Sequence, residues 1–199
     1  MPVSDDDLAA AADAVGGGGL VVYPTETVYG VGADALDADA VEAVFDAKRR
    51  DRDKPLSFAF PDVDSAVEHL RVGDTERAFM DEFLPGPVTV VCEKRDTVPD
   101  VLTGGRDRVG VRVPDHDVAL ALLDRVAPLT ATSANVSGRP SVTDPGDLGD
   151  DFLDAVDYVL DAGETAGGTP STVVDVARND VLREGAIADA VKDWLSEHA

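Results

Sequence analysis

The chain has 199 residues, with 40 acidic side chains against 17 basic ones and a formal net charge of −23. That length suits one domain with a sizeable core, expected over residues 1–199, and the charge argues against strong duplex binding, which depends on neutralising many phosphates. No apolar run reaches membrane-spanning length, and residues 1–7 lack the basic and apolar regions of a secretion signal, so a soluble cytoplasmic protein without membrane contact is expected.

Ser4 followed by three aspartates predicts an N-cap and a negative first turn for a helix over residues 5–15, which Gly16 to Gly19 end. Residues 20–23 read as a buried strand stopped by Pro24. Pro24-Thr25-Glu26-Thr27-Val28-Tyr29-Gly30-Val31-Gly32 reads as a loop rich in ligand-facing groups. Val41, Val44 and Phe45 have helical spacing over residues 39–48, and Pro55 stops the segment. Residues 56–60 make a second strand. Residues 64–70 and 74–84 make two further helices, with His69 an ordinary residue of the first.

Pro85-Gly86-Pro87 breaks the pattern and launches an apolar strand over residues 88–92, where the lone Cys92 is a buried, inert thiol. Residues 108–114 alternate with period two, placing Arg108, Gly110 and Arg112 on one face and the valines on the other. Such a face is either an exposed edge or a wall of an anion pocket. A helix over residues 119–126, a short strand over 128–131 and a second hydroxyl-rich loop over 132–140 follow. Residues 152–161 end in a strand, 165–170 form a loop, and the strand at 171–176 pairs with 181–183. A last helix from 187 to 195 buries Trp194. Strands and helices interleave without strict alternation, which predicts an α/β fold with a twisted mixed parallel and antiparallel sheet flanked by helices.

Lys48-Arg49-Arg50-Asp51-Arg52-Asp53-Lys54 holds five of the 17 basic residues in seven positions. In so acidic a chain this points to a strongly negative ligand, with a solvated helix end as the competing reading. There is no phosphate-loop lysine motif, no dinucleotide fingerprint and no nucleophile elbow, and the three histidines are scattered. The remaining hydroxyl, amide and cationic groups favour catalysis by positioning and charge stabilisation over proton shuttling.

Pro24-Thr25-Glu26-Thr27-Val28-Tyr29-Gly30, Lys48-x-Arg50 with Lys54-Pro55-Leu56, Leu84-Pro85-Gly86-Pro87-Val88-Thr89, Val111-Arg112-Val113-Pro114, Ser133-x-Asn135-x-Ser137-Gly138 and Ser171-Thr172-Val173-Val174-Asp175 occur in that order. Together they resemble the YrdC/TsaC family of threonylcarbamoyl-AMP synthases, over residues 20–187. The resemblance implies a YrdC-like fold with a large concave cavity. It implies a nucleotidyltransferase that makes threonylcarbamoyl-AMP and pyrophosphate from L-threonine, bicarbonate or CO2 and ATP, with Mg2+ carried by the triphosphate. The product would pass to a separate tRNA threonylcarbamoyl transferase, with weak direct tRNA contact at most.

Carried over by motif, Lys48, Arg50, Ser133 and Asn135 are the catalytic set. Lys54, Arg108, Thr143 and Arg183 are expected at the nucleotide, and Thr27, Arg112 and Ser171 at the threonine. Ala59 stands where some archaeal members of that family have a histidine, and Glu184 where proline is common. The chain resembles the short, single-domain form. Its Asp-rich surface, with four lysines against 13 arginines, resembles proteins of a high-salt cytoplasm. The rival reading is a tRNA- or double-stranded-RNA-binding module without adenylate synthesis.

Overall fold

The computed structural model describes residues 3–198; residues 1, 2 and 199 of the expected domain lie outside the described residues. Helix α1 (Asp5–Gly16) begins at Ser4, whose hydroxyl accepts from Asp7 N while the Asp7 carboxylate accepts from Ser4 N at 2.9 Å, a reciprocal cap that satisfies two helix-end donors. Strands β1 (Val21–Tyr23) and β2 (Gly30–Gly32) pair antiparallel. Helix α2 (Ala38–Ala47) is capped by Asp37, which accepts from Asp39 N and Ala40 N, and ends at Lys48 because Arg49 turns left-handed at φ 48°. The helix therefore stops well before Pro55, and the basic run forms the turn that follows it.

Next come β3 (Ser57–Ala59), α3 (Val63–Val67), β4 (Leu70–Arg71), α4 (Asp74–Phe83), β5 (Val88–Lys94), α5 (Asp100–Thr103) and β6 (Arg108–Arg112). The chain closes with α6 (Asp117–Val126), β7 (Leu129–Ser133), α7 (Asp150–Leu153), β8 (Tyr158–Val159), β9 (Thr172–Asp175), β10 (Asp180–Arg183) and α8 (Ala188–Glu197). The strands form one mixed sheet in the order β10-β9-β5-β6-β3-β7-β2-β1-β8, with β4 on β5. The expected antiparallel pairing of β9 with β10 is present.

Several segments differ from expectation, among them residues 132–133, which belong to β7 rather than to the loop after it. Gly30–Gly32 is a strand rather than loop, because β1 and β7 flank it and supply backbone partners. The helix expected over residues 64–70 ends at Val67, so His69 lies in a turn with its ring against Phe60, and Leu70 is drawn into pairing with Lys94. The turn of helix at α5 lies in a segment to which no element was assigned.

Side chains of successive strand residues point to opposite faces, and this divides the core in two. One face carries Phe58, Val90, Val109, Val111 and Val174 into the larger cluster, closed by α2, α4 and α8 with Trp194 5% exposed. On the other face α1 and α6 cover Val21, Tyr23, Ala59 and Leu129. That second cover is partial, and where it stops the sheet lies open.

Candidate functional site

The open face is the floor of a cavity of about 950 Å3, at the upper end of the range for small-molecule sites. Its lining has period two on four strands: Ser57 and Ala59 of β3, Thr89 and Val91 of β5, Arg108, Gly110 and Arg112 of β6, and Val173 and Asp175 of β9, while the end of β7 adds Ala131, Thr132 and Ser133. The registers agree, since Ser57 lies beside Gly110, Ala59 beside Arg112 and Thr89 beside Val173. The two arginines expected on one face of β6 thus stand on a cavity wall.

Ten of the eleven expected site residues line this cavity: Thr27, Lys48, Arg50, Lys54, Arg108, Arg112, Ser133, Asn135, Ser171 and Arg183. Thr143 does not; its carbonyl accepts from Thr165 N at 2.8 Å, outside the lining. The basic run divides. Arg49 pairs with Asp151 at 3.2 Å, and Arg52 with Glu42 and Asp46 above the Phe45 ring, as the solvated helix-end reading has it. Lys48, Arg50 and Lys54 turn to the cavity.

Lys48 is 1% exposed. Its ammonium donates to Ser133 O, to Asn135 O at 2.8 Å and to Asn135 Oδ1 at 3.4 Å, and its carbonyl accepts from Ser137 N at 2.8 Å. The end of α2 is thereby tied to the loop after β7 through both backbone and side chain. Burial, and after it the charge of Arg50, pull the Lys48 ammonium down to about 7. In that loop Ser133 Oγ donates to Asn135 Oδ1, and Asn135 Nδ2 donates to Val136 O at 3.1 Å and Arg139 O at 2.7 Å. Both side chains are held in fixed orientation.

Arg50 donates to the carbonyls of Lys54 (2.9 Å) and Pro55 (3.0 Å), and Arg183 to Ser171 O (2.9 Å) and Ser171 Oγ (3.0 Å). Neither has an anionic partner among the described residues. Burial lowers the pKa of each, with Arg183 adding to the effect on Arg50 and Arg112 to that on Arg183. Two half-buried guanidiniums without an anionic partner among the described residues form an anion receptor.

The two β6 arginines are instead countered by buried acids. Arg108 donates to Asp175 Oδ1 and Val91 O, each at 2.7 Å, with Glu76 at 3.8 Å. Arg112 donates to Thr27 Oγ1 at 2.9 Å and lies 2.8 Å from Glu26 Oε1. Neither Glu26 oxygen has an aligned hydrogen bond, nor does Arg112 Nε, so this contact is ionic without directional bonding. Glu26, Tyr23, Arg178 and Asp175 were not singled out as site residues; the period-two pattern Ser171-x-Val173-x-Asp175 was the available signal for the last. Among the described residues no group of three His, Cys, Asp or Glu side chains could hold a metal, and no helix is long and apolar enough to cross a membrane.

Residues 13–185 match the Sua5/YciO/YrdC family model, described as telomere recombination. The chain is 44% identical over 172 residues to the threonylcarbamoyl-AMP synthase of Pyrococcus abyssi, covering 85% of this chain and 50% of that protein. It is 37% identical to a putative threonylcarbamoyl-AMP synthase of Methanocaldococcus jannaschii, covering 85% of this chain and 81% of the relative. The crystal structure of P. abyssi Sua5 complexed with L-threonine superposes with a TM-score of 0.86 at 38% identity, over 93% of this chain and 56% of that one. E. coli YciO gives 0.81 at 27% identity, over 90% and 89%. The chain spans about half the length of the P. abyssi relative it matches.

Proposed function

The chain belongs to the Sua5/YciO/YrdC family, and from that premise we propose that it is an L-threonylcarbamoyladenylate synthase. The observation that supports this most is a cavity large enough for a nucleotide and an amino acid together, in which Arg50 of the turn after α2 and Arg183 of β10 have no anionic partner among the described residues, and Arg112 of β6 bonds Thr27 of the loop before β2. The first group suits a triphosphate. The planar fork of Arg112 suits an amino-acid carboxylate, which it can bind bidentately.

In the reaction so read, the threonine nitrogen forms a bond to the carbon of CO2 and releases a proton; where bicarbonate supplies the CO2, its hydroxyl takes up a proton and leaves as water, so the two protons balance. A carbamate oxygen then bonds the α-phosphorus of ATP as the bond to pyrophosphate breaks. One anion must approach another, and Arg50, Arg183 and Lys54 screen that repulsion; one such preorganised contact is typically worth about 3–4 kcal/mol. Lys48 acts chiefly by fixing the Ser133–Asn135 loop, whose hydroxyl and amide orient phosphate or carbamate oxygens. Cations and hydroxyls dominate the lining, so Mg2+ fits as an ion brought by the triphosphate with its own waters, where it neutralises phosphate charge. The product is read as the donor for a tRNA threonylcarbamoyl transferase in the cytoplasm. The net charge of −23 disfavours an RNA-binding module as the main role.

The test is pyrophosphate release from ATP by the purified protein in potassium chloride. Release is expected only with threonine and bicarbonate both present. Release indifferent to threonine would sink the assignment.

A further inference from the structure

Two of the three tyrosine hydroxyls have protein partners. Tyr29 Oη donates to Gly163 O at 2.7 Å and accepts from Ala162 N at 3.0 Å, and Tyr158 Oη donates to Asp7 at 2.9 Å. Tyr23 Oη has none among the described residues; the residue is only 2% exposed, yet the hydroxyl itself is not among the enclosed, unpartnered polar atoms. A phenol hydroxyl that is not sealed in by protein takes its hydrogen-bond partner from whatever occupies the space it opens to, water or ligand. Tyr23 lines the cavity, so the missing partner has a place to be.

The surrounding chain is shaped around this ring. A Cβ on Gly32 would come within 3.0 Å of Tyr23 Cε1, and one on Gly30 within 3.3 Å of Cζ. The Gly-Val-Gly of β2 thus keeps open the slot in which the ring lies. Burial pushes the phenol up to about 12, with Arg112 opposing and Glu26 adding, so it stays a neutral donor and acceptor near physiological pH. Tyr23 shares its apolar cluster with Ala59 and Ala131, which also line the cavity. Small apolar walls, one unpaired hydroxyl and a nearby guanidinium together suit an amino acid whose short side chain carries both a methyl group and a hydroxyl.

We propose that the Tyr23 hydroxyl hydrogen-bonds the side-chain hydroxyl of the amino-acid substrate and thereby sets selection of threonine over valine, its isostere without that hydroxyl. This rests on the synthase reading above. Discrimination by shape alone is weak between isosteres, whereas a site built to bond a hydroxyl rejects the analogue lacking it strongly, since the site's own polar group is left unpaired.

The experiment compares wild-type protein with Tyr23→Phe, measuring kcat/KM for pyrophosphate release with threonine and with valine, amino-acid binding by calorimetry, and thermal melting. The variant is expected to melt at the same temperature or higher, because only an unpaired hydroxyl is removed. Its preference for threonine over valine is expected to fall at least about 10-fold in both binding and turnover, through loss on threonine with valine unchanged or improved. An unchanged preference in a folded variant would overturn the assignment of Tyr23 while leaving the synthase reading intact. A clear fall in melting temperature would overturn it too, by showing that protein already holds the hydroxyl. Wild-type protein that ignores threonine altogether would overturn the synthase reading and this one with it.

Discussion

Replacing Lys48 with methionine keeps the side chain's length and removes its ammonium, which makes it a sharp probe of the tie between α2 and the loop after β7. The variant orphans Ser133 O and Asn135 O, each at about 1–3 kcal/mol, but it also relieves the burial of a charge. That relief depends on pH. The folded pKa of Lys48, about 7, lies below the ordinary 10.5, so the unfolded chain binds the proton more readily. Wild-type stability therefore carries a penalty at pH 7 that shrinks as pH rises toward 10.5, and the linkage relation gives a gain of about 2 kcal/mol between pH 7 and pH 9. Lys48→Met has no such gain. Urea unfolding of both proteins at pH 7, 8 and 9 in constant salt measures it, and groups common to the two chains cancel in the difference. If the two stabilities run parallel in pH, the ammonium is not buried as described and its role in holding the loop fails.

Two further substitutions probe the amino-acid side of the cavity. Arg112→Lys keeps the charge but loses the planar fork that binds Thr27 Oγ1; KM for threonine is expected to rise at least about 10-fold, a loss of about 1.4 kcal/mol, with KM for ATP little changed. Equal effects on both substrates would count against a carboxylate site there. In Gly167→Ala the new Cβ would lie 2.3 Å from Thr27 O, forcing backbone to move. At about 1–3 kcal/mol for such overpacking, melting should fall by roughly 2–12 °C and KM for threonine should rise, and a variant unchanged in both would show that the loop over Thr27 is free to shift.

What the sequence made legible was whatever depends on local pattern. The cap at Ser4, the alternation of Arg108, Gly110 and Arg112, and the hairpin of β9 with β10 all follow from spacing and residue chemistry, and all are present. Gly30–Gly32 was not legible as a strand, since two glycines have little intrinsic strand preference and the pairing comes from β1 and β7. His69 was misplaced because Leu70 completes an apparent helical stripe while tertiary pairing with β5 claims it. The site motifs were visible one by one, but their convergence on one sheet face was not: Thr27, Lys48, Arg112 and Ser171 meet only through sheet order. Nor could spacing reveal that the Lys48 ammonium is already engaged by protein oxygens, or that Glu26 stands behind Arg112.

The buried acids behind the β6 arginines have a consequence for where this chain can operate. Charges on its open surface are screened over about 10 Å at 0.1 M salt and about 3 Å at 1 M, so the mutual repulsion of its carboxylates fades as salt rises. Asp175, with a side chain only 2% exposed, and Glu26 stand 2.7 and 2.8 Å from Arg108 and Arg112, closer than the screening length even at about 1 M. The orientation of the two β6 arginines is thus set by fixed partners, while the repulsion across the exterior is set by the medium. Such a protein can exchange a dilute solution for brine and alter its cohesion and solubility far more than the orientation of the groups that hold its ligand.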